Sequence, residues 1–211
     1  MQIAVAGEPV TLLADRGVLW APGGVGTALV ADVHFGKTDT FRHFGLPVPD
    51  VDLDADLLRL TSLVRETSAA RLLILGDLVH ASAGLNDAVV ERVARWRAAL
   101  DVDVELVLGN HDRAGIPAAW RIHARAEGHA EGPFRFTHHP VPSPDCYTWC
   151  GHLHPAVVLG RGRLAERFPC FWLGSRVGVL PAYGGFTGGR AVRPEPGDRR
   201  IAVTAEGLVE V

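Results

Sequence analysis

The amino-acid sequence predicts an α/β protein in which two β-sheets pack face to face with helices on the outside. In the first half of the chain, short apolar segments alternate with helical patterns, as in parallel sheets built by crossover connections. The second half consists of short strands divided by Gly and Pro turns, and the first 30 residues are similar. A length of 211 residues suits one domain with a substantial core, so we expect residues 1–211 to form a single domain.

The individual elements follow from the spacing of the apolar residues. Buried strands are predicted over residues 27–31, 72–75 and 104–108, and short strands over 134–136, 147–149, 156–159, 171–173 and 201–203. Two amphipathic helices lie between the first three strands. Their apolar faces carry Leu53, Leu57, Leu60 and Val64 in the first helix, and Val89, Val93, Trp96 and Leu100 in the second. Asn86 or Asp87 is the expected N-cap of the second helix.

The composition is that of a globular protein, with 47% hydrophobic and 21% charged residues. The first residues have no basic, apolar signal-peptide pattern, and no apolar run is long enough to cross a bilayer. We therefore expect no membrane association and a cytoplasmic location. The thiols of Cys146, Cys150 and Cys170 are interpreted as buried and free, with a zinc role for Cys146 and Cys150 as the alternative.

A net charge of −3 gives no overall attraction to nucleic acid. Arginines nevertheless cluster locally, at Arg161, Arg163 and Arg167 and again at Arg190, Arg193, Arg199 and Arg200. A solvated rim is the favoured interpretation of these clusters, and contact with a phosphate backbone is the alternative.

Metal-ligand side chains follow five of the predicted strands, at the point where each strand ends. These residues are Asp32, His34, Asp77, Asn110, His138, His152 and His154. Because ligands bind beyond the carboxyl ends of strands in open α/β sheets, we expect the seven side chains to converge on one pocket. Any one of these histidines alone would more often be a core or surface residue; the ordered set indicates a metal site.

The chemistry of this set favours a pair of ions. Carboxylate, imidazole and amide donors together suit Mn, Fe, Co or Zn rather than calcium. Seven candidates exceed the four ligands of a structural zinc, but they suit two ions that share a bridging carboxylate. Such a pair can activate a water and stabilise the attacking and leaving oxygens of a displacement at phosphorus. The sequence therefore predicts a metal-dependent phosphoesterase.

The ordered motifs Asp32-x-His34, Gly76-Asp77, Gly109-Asn110-His111-Asp112, His138 and Gly151-His152-x-His154 resemble the calcineurin-like metallophosphoesterases over residues 28 to 155. The resemblance implies a two-sheet sandwich and a binuclear centre in which Asp77 bridges the ions. One ion would take Asp32, His34, Asp77 and His154, and the other Asp77, Asn110, His138 and His152. His111 would be the general acid, and Asp112 would orient it. Manganese is the expected metal, with Fe, Zn, Co or Ni as alternatives; His139 is an alternative ligand to His138.

Further segments, at residues 31–37, 40–49, 169–173 and 180–189, resemble the ligase-associated DNA damage response endonucleases. This resemblance implies a phosphodiester substrate, DNA, and a DNA ligase and helicase as repair partners. Lys37 and Arg42 are candidates for contact with a phosphate at the metals. His80 is either part of the site or a surface residue. Phe41, Phe44 and Phe186 are interpreted as core residues, with base stacking as the alternative.

Three functions are compatible with these observations. The favoured one is hydrolysis of phosphodiesters, and the resemblance implies a DNA-repair nuclease. The second is a phosphodiesterase or phosphatase for small nucleotides or metabolites, which the net acidity favours. The third is a non-catalytic, metal-stabilised scaffold, which the presence of His111 and of all seven candidate ligands argues against.

Overall fold

A computed structural model describes residues 1–48 and 53–211 of the chain. The strands of the first sheet are Gln2–Val5 (β1), Glu8–Leu12 (β2), Val18–Trp20 (β3), Thr27–Val30 (β4), Arg71–Leu75 (β5), Asp103–Val107 (β6) and His123–Arg125 (β7). Those of the second sheet are His129–Glu131 (β8), Phe134–Phe136 (β9), Tyr147–Cys150 (β10), Pro155–Leu159 (β11), Glu166–Leu173 (β12), Val177–Val179 (β13), Arg190–Ala191 (β14), Arg199–Thr204 (β15) and Gly207–Glu210 (β16). The helices are Lys37–His43 (α1), Leu53–Thr67 (α2) and Asp87–Ala99 (α3).

The first sheet changes from antiparallel to parallel at β4. Its strand order is the chain order, with antiparallel pairing from β1 to β4 and parallel pairing from β4 to β7. Helix α2 connects β4 to β5, and α3 connects β5 to β6. Because β4, β5 and β6 run in the same direction, their carboxyl ends meet at one edge of the sheet.

The second sheet is mixed, with the order β14-β11-β12-β13-β10-β9-β8. Strand β12 also pairs with β15, and β15 pairs with β16. Strands β9 and β10 are parallel to each other, so their carboxyl ends also lie side by side. A bridge between Ala31 and Ala182 joins the two halves of the chain next to the end of β4.

The central strands of the first sheet are buried on both faces, which explains their continuous apolar sequence. In β4, Ala28 and Val30 face the core beneath the helices, whereas Leu29 faces the core between the two sheets. The same alternation places Ile74 of β5 on the helix side and Leu73 on the sheet side. The predicted two-sheet α/β sandwich is confirmed.

Both predicted amphipathic helices are present and bury the predicted faces. In α2, Leu57, Leu60 and Val64 are buried in the core beneath the helices. In α3, Val93 is fully buried in the same core. The side chain of Asn86 accepts a hydrogen bond from the Val89 N–H at 3.0 Å, so Asn86 is the N-cap of α3.

The elements without an apolar pattern were not predicted. Helix α1 begins after Gly36, a glycine in the left-handed region, and its buried residues are Thr38 and Thr40 rather than an apolar stripe. Strands β7, β8 and β14 are two or three residues long and rich in charged side chains and histidine. Among the helices of residues 1–48 and 53–211, none has the length and apolar character needed to cross a membrane.

Candidate metal centre

All seven predicted ligands converge at the edge where the strands of both sheets end. Asp32 and His34 follow β4, Asp77 follows β5, and Asn110 follows β6. From the second sheet, His138 follows β9, and His152 and His154 follow β10. Asp32, His34, Asp77 and His138 are buried, while the other three are half-buried and open toward solvent. The site therefore has a closed floor and an accessible mouth.

One group of donor atoms surrounds the space between Asp32, His34, Asp77 and His154. The Nε2 atoms of His34 and His154 lie 3.5 Å apart, and His154 Nε2 lies 3.2 Å from Asp32 Oδ1. His34 Nε2 lies 3.9 Å from Asp77 Oδ2. Two atoms that each lie about 2.1 Å from one ion are about 3.0 Å apart at right angles and about 4.2 Å apart when opposite. These donors therefore have the separations of ligands around one ion.

A second group surrounds Nε2 of His138. This atom lies 3.0 Å from Asn110 Oδ1, 3.1 Å from His152 Nδ1 and 3.4 Å from Asp77 Oδ2. Asp77 Oδ2 thus belongs to both groups, which is the position of a bridging ligand. The division of donors between the two groups matches the division that the sequence resemblance implies. Which ions the residues hold, and their individual roles, stay predictions.

The hydrogen bonds of these residues leave metal-binding atoms directed toward the two groups. His138 Nδ1 donates to the Leu75 carbonyl oxygen at 3.1 Å, so a lone pair remains on Nε2. Asp77 Oδ1 accepts from the His111 N–H at 2.9 Å, and Asp32 Oδ2 accepts from the His152 N–H at 2.9 Å. At His138 and Asp77 the partner holds one atom of the ligand and leaves the other toward the group, whereas the His152 N–H also lies 3.2 Å from Asp32 Oδ1.

The protonation states of His34 and Asp77 suit metal binding. Burial lowers the pKa of His34 to about 2, so its imidazole is neutral. Burial opposes ionisation of Asp77, but its interactions with His138 and the hydrogen bond from the His111 N–H outweigh it and lower the pKa of Asp77 to about 2. The same interactions outweigh burial at His138 and raise its pKa, so His138 would release a proton from Nε2 on binding a metal. A neutral imidazole and an ionised carboxylate are the forms that bind a metal.

The backbone is held in an unfavourable conformation at most of the candidate ligands. Nine non-glycine residues of the described chain have positive φ, and five of them are Asp32, His34, Asp77, His152 and His154. Such conformations cost roughly 1–3 kcal/mol each and persist where surrounding structure fixes them. Four of the five form the pairs Asp32–His34 and His152–His154, whose side chains enter the same pocket.

Two glycines make room for the ligands of neighbouring motifs. A β-carbon on Gly76, whose φ is +80°, would lie 2.1 Å from His138 Nδ1. A β-carbon on Gly109 would lie 2.3 Å from Asp77 Oδ1. Both distances are far below van der Waals contact. A glycine therefore precedes each of these ligands in the sequence because one motif packs closely on another.

His111 lies at the mouth of the site and is oriented by a backbone carbonyl. Its Nε2 is 4.0 Å from Asp77 Oδ2, and its side chain is 39% exposed. Its Nδ1 donates to the carbonyl oxygen of His80 at 2.7 Å rather than to Asp112. The direct contact expected from Asp112 is therefore wrong: the two Asp112 oxygens accept from the N–H groups of Val79 and Gly109, at 3.0 and 2.8 Å. Asp112 joins the two loops that carry Asp77 and Asn110.

The structure places His80 inside the site. Its Nδ1 lies 3.4 Å from His34 Nδ1, and its ring stacks on that of His111 with centroids 5.2 Å apart. Burial, followed by the charge of Lys37, lowers the pKa of His80 to about 4.

The Lys37 ammonium is close enough to Asp32 for their charges to interact, and burial lowers the pKa of Lys37. Arg42 is exposed in the last turn of α1.

The interpretation of three phenylalanines as core residues is wrong for at least one. Phe44 is 68% exposed. Phe41 and Phe186 are half-buried, and their rings contact each other with centroids 5.9 Å apart. Phe41 also lies 5.6 Å from the ring of His80, so this aromatic pair borders the candidate centre.

One residue near the centre, Glu127, had no signal in the sequence. His139 lies beside His138 and His152, and its Nδ1 is 3.0 Å from Glu127 Oε1. Glu127 is eleven residues before His138 along the chain, so only the fold reveals the pair of Glu127 and His139.

The free thiols of Cys150 and Cys170 are buried as predicted, and Cys146 is half-buried. No cysteine belongs to a group of potential metal ligands in residues 1–48 and 53–211.

Comparisons with known proteins agree with this geometry. Residues 27–195 match the family model described as calcineurin-like phosphoesterase. A solved structure described as the nuclease MPE of Pseudomonas putida is 36% identical, with a TM-score of 0.83, and the match covers 96% of each chain. No curated protein matches the chain.

The chain belongs to the calcineurin-like phosphoesterase family. It is a metal-dependent hydrolase that acts on phosphoesters, and the predicted family is confirmed. Proteins of this family use divalent metals, and the Asp and His clusters described above are the groups that could hold them.

Proposed function

We propose that the protein is a two-metal phosphodiesterase that cleaves phosphodiester bonds in DNA. The observation that carries this proposal is the arrangement of seven side chains into two donor groups that share Asp77 Oδ2. The similarity to a protein described as a nuclease supports a nucleic-acid substrate. By the sequence resemblance, the proposal extends to DNA repair in the cytoplasm, with a DNA ligase and a helicase as partners.

The two donor groups would hold one ion each. Asp32, His34 and His154 complete the first with Asp77, and Asn110, His138 and His152 complete the second. When bound, two divalent ions supply Lewis-acid stabilisation of the phosphoryl oxygens and an activated water. We propose manganese, with Fe, Zn, Co or Ni as alternatives, because the donors combine two carboxylates, one amide oxygen and imidazoles.

The remaining residues act on the substrate itself. His111 can hold a proton at Nε2 for the leaving oxygen, since the His80 carbonyl oxygen fixes its Nδ1–H. The carboxylate of Asp112 holds the two loops on which His111 and Asp77 depend. The ammonium of Lys37, next to the first donor group, offsets negative charge on the phosphate. Arg42 and His80 are further candidates for contact with the substrate.

The first test is hydrolysis of bis-p-nitrophenyl phosphate by the manganese-loaded protein, with p-nitrophenyl phosphate as the monoester. We expect about two equivalents of metal by mass spectrometry and faster hydrolysis of the diester. His111→Ala should lose turnover while keeping its metal, whereas His123→Ala, at an exposed histidine on β7, should match the wild type. Two bound metals with no hydrolysis of either compound would contradict the proposal and favour a non-catalytic scaffold.

The net charge of −3 favours a second candidate, a phosphodiesterase for small nucleotides. The two candidates differ in their response to salt, because a protein that neutralises several phosphates releases counterions. A steep loss of DNA cleavage with rising salt supports the first candidate. A flat response, together with hydrolysis of cyclic nucleotides, supports the second.

A further inference from the structure

A branched groove begins beside the candidate ligands of the second sheet. Leu153, which lies between His152 and His154 in the chain, and Trp172 of β12 line both of its branches. Arg190, Ala191, Val192 and Arg193 complete one branch, which we call the arginine branch. The groove therefore adjoins the loop that carries the candidate ligands His152 and His154.

The arginine branch is tied directly to the ligand loop. Pro155 of β11 pairs with Arg190 of β14, and the Arg190 N–H donates to the His154 carbonyl oxygen at 2.8 Å. Neighbouring strands are about 4.8 Å apart, so Arg190 is one strand away from a candidate ligand. This position distinguishes Arg190 and Arg193 from the other arginine cluster, at Arg161 and Arg163.

Within residues 1–48 and 53–211, no carboxylate neutralises the charges of Arg190 and Arg193. Both side chains are exposed, and neither guanidinium lies within 4.0 Å of a carboxylate of residues 1–48 or 53–211. A guanidinium without a carboxylate partner is suited to a phosphate, which it can contact through two parallel N–H groups.

The other branch has the opposite character. Its lining includes the carboxylates of Glu195 and Asp198 together with Arg176, and Arg176 already donates to the Ser143 carbonyl oxygen. Asp198 Oδ2 accepts from Trp172 Nε1 at 2.7 Å, which fixes the indole at the junction of the two branches. Electrostatics therefore directs a chain of phosphates into the arginine branch, past an indole on which a base can stack.

We propose that the arginine branch binds the nucleic-acid strand next to the bond that is cleaved, with phosphates on Arg190 and Arg193 and a base on Trp172. This inference rests on the proposed function, since it assigns the substrate's flanking nucleotides to a surface of their own. It also predicts that a small diester, which fills only the metal centre, does not use these residues.

The test compares an Arg190→Gln/Arg193→Gln variant with the wild type on bis-p-nitrophenyl phosphate and on a fluorescent oligonucleotide. We expect equal turnover on the small diester and equal metal content. On the oligonucleotide, KM should rise roughly tenfold, and the slope of log affinity against log salt should become smaller by about 1.5. Trp172→Leu should also raise KM for the oligonucleotide without changing the salt slope.

The control is Arg161→Gln/Arg163→Gln, which removes the same charge from the far end of the β11–β12 hairpin. The proposal is overturned if both double variants change the oligonucleotide KM and the salt slope equally, because only overall charge would then matter. It is also overturned if Arg193→Gln alone lowers turnover on the small diester. Absence of diester hydrolysis by the wild-type protein would instead refute the proposed function.

Discussion

Replacement of Gly109 by alanine tests whether close packing of the ligand loops determines metal binding. The new β-carbon would lie 2.3 Å from Asp77 Oδ1 and 2.4 Å from the Asp77 backbone nitrogen. Since non-bonded carbon and oxygen atoms need about 3.3 Å, Asp77 or Gly109 must move by about 1 Å. Gly109 cannot easily yield, because its N–H donates to Asp112 Oδ2 at 2.8 Å.

The expected loss follows from this displacement. Metal–ligand distances vary by only about 0.2 Å, so a shift of about 1 Å at the shared ligand should reduce the metal content below two equivalents. A misplacement of that size costs about 100-fold in turnover. Overpacking of this kind costs about 1–3 kcal/mol, or several degrees in melting temperature for a chain of this length.

The assay combines metal content, hydrolysis of bis-p-nitrophenyl phosphate and thermal unfolding of Gly109→Ala. Gly188→Ala is the matched control, because a β-carbon there has no neighbour within 4 Å and the backbone does not have positive φ. The control should stay within about twofold of wild-type turnover. A Gly109→Ala protein with two metals and wild-type turnover would refute the packing argument.

Three further outcomes are expected. Asp77→Ala should remove at least one metal equivalent, because Asp77 Oδ2 belongs to both donor groups; an unchanged metal count would refute the bridging role. His111→Ala should lower turnover about 100-fold or more with metal retained, and unchanged turnover would remove its role as acid. The hydrogen bond from Arg125 holds the pKa of Glu105 below its usual 4.5. The stability that the ionised Glu105 contributes is therefore present above pH 4.5 and is lost as the pH falls. Glu105→Gln should therefore unfold at lower urea than the wild type near pH 7, and the difference should shrink below pH 4.5; a constant difference would exclude ionisation as its cause.

The candidate ligands could be predicted because each follows a strand with a strong apolar signal. The apolar sequence Leu72 to Leu75 indicates a buried segment, and Asp77 follows it after Gly76. The direction of a parallel strand then determines at which edge the next polar residue lies. The same reasoning placed His138 and His152, because each follows a predicted short strand; the structure shows that these strands, β9 and β10, are parallel.

The contacts around the ligands could not be predicted, because they join residues without a periodic signal. His111 is oriented by a backbone carbonyl, and any residue type can supply a backbone carbonyl, so no sequence motif reveals this contact. Glu127 meets His139 only because the segment before β8 folds back beside β9. The arginine branch likewise depends on β14, a strand of two residues that pairs with β11.

The residue types at the centre also suit the positive φ angles of its backbone. Asp, Asn and His are enriched several-fold among non-glycine residues with positive φ, and they are the side chains that this mixed oxygen and nitrogen centre uses. The cost of five such residues is comparable with the net stability of a domain, so other contacts must offset it. Hydrogen bonds between motifs contribute to this: His34 N–H donates to the Asp77 carbonyl oxygen at 2.9 Å, and Asp32 N–H donates to the Gly76 carbonyl oxygen at 3.1 Å. Because each motif holds the next in its conformation, the effects of substitutions in two motifs should be non-additive.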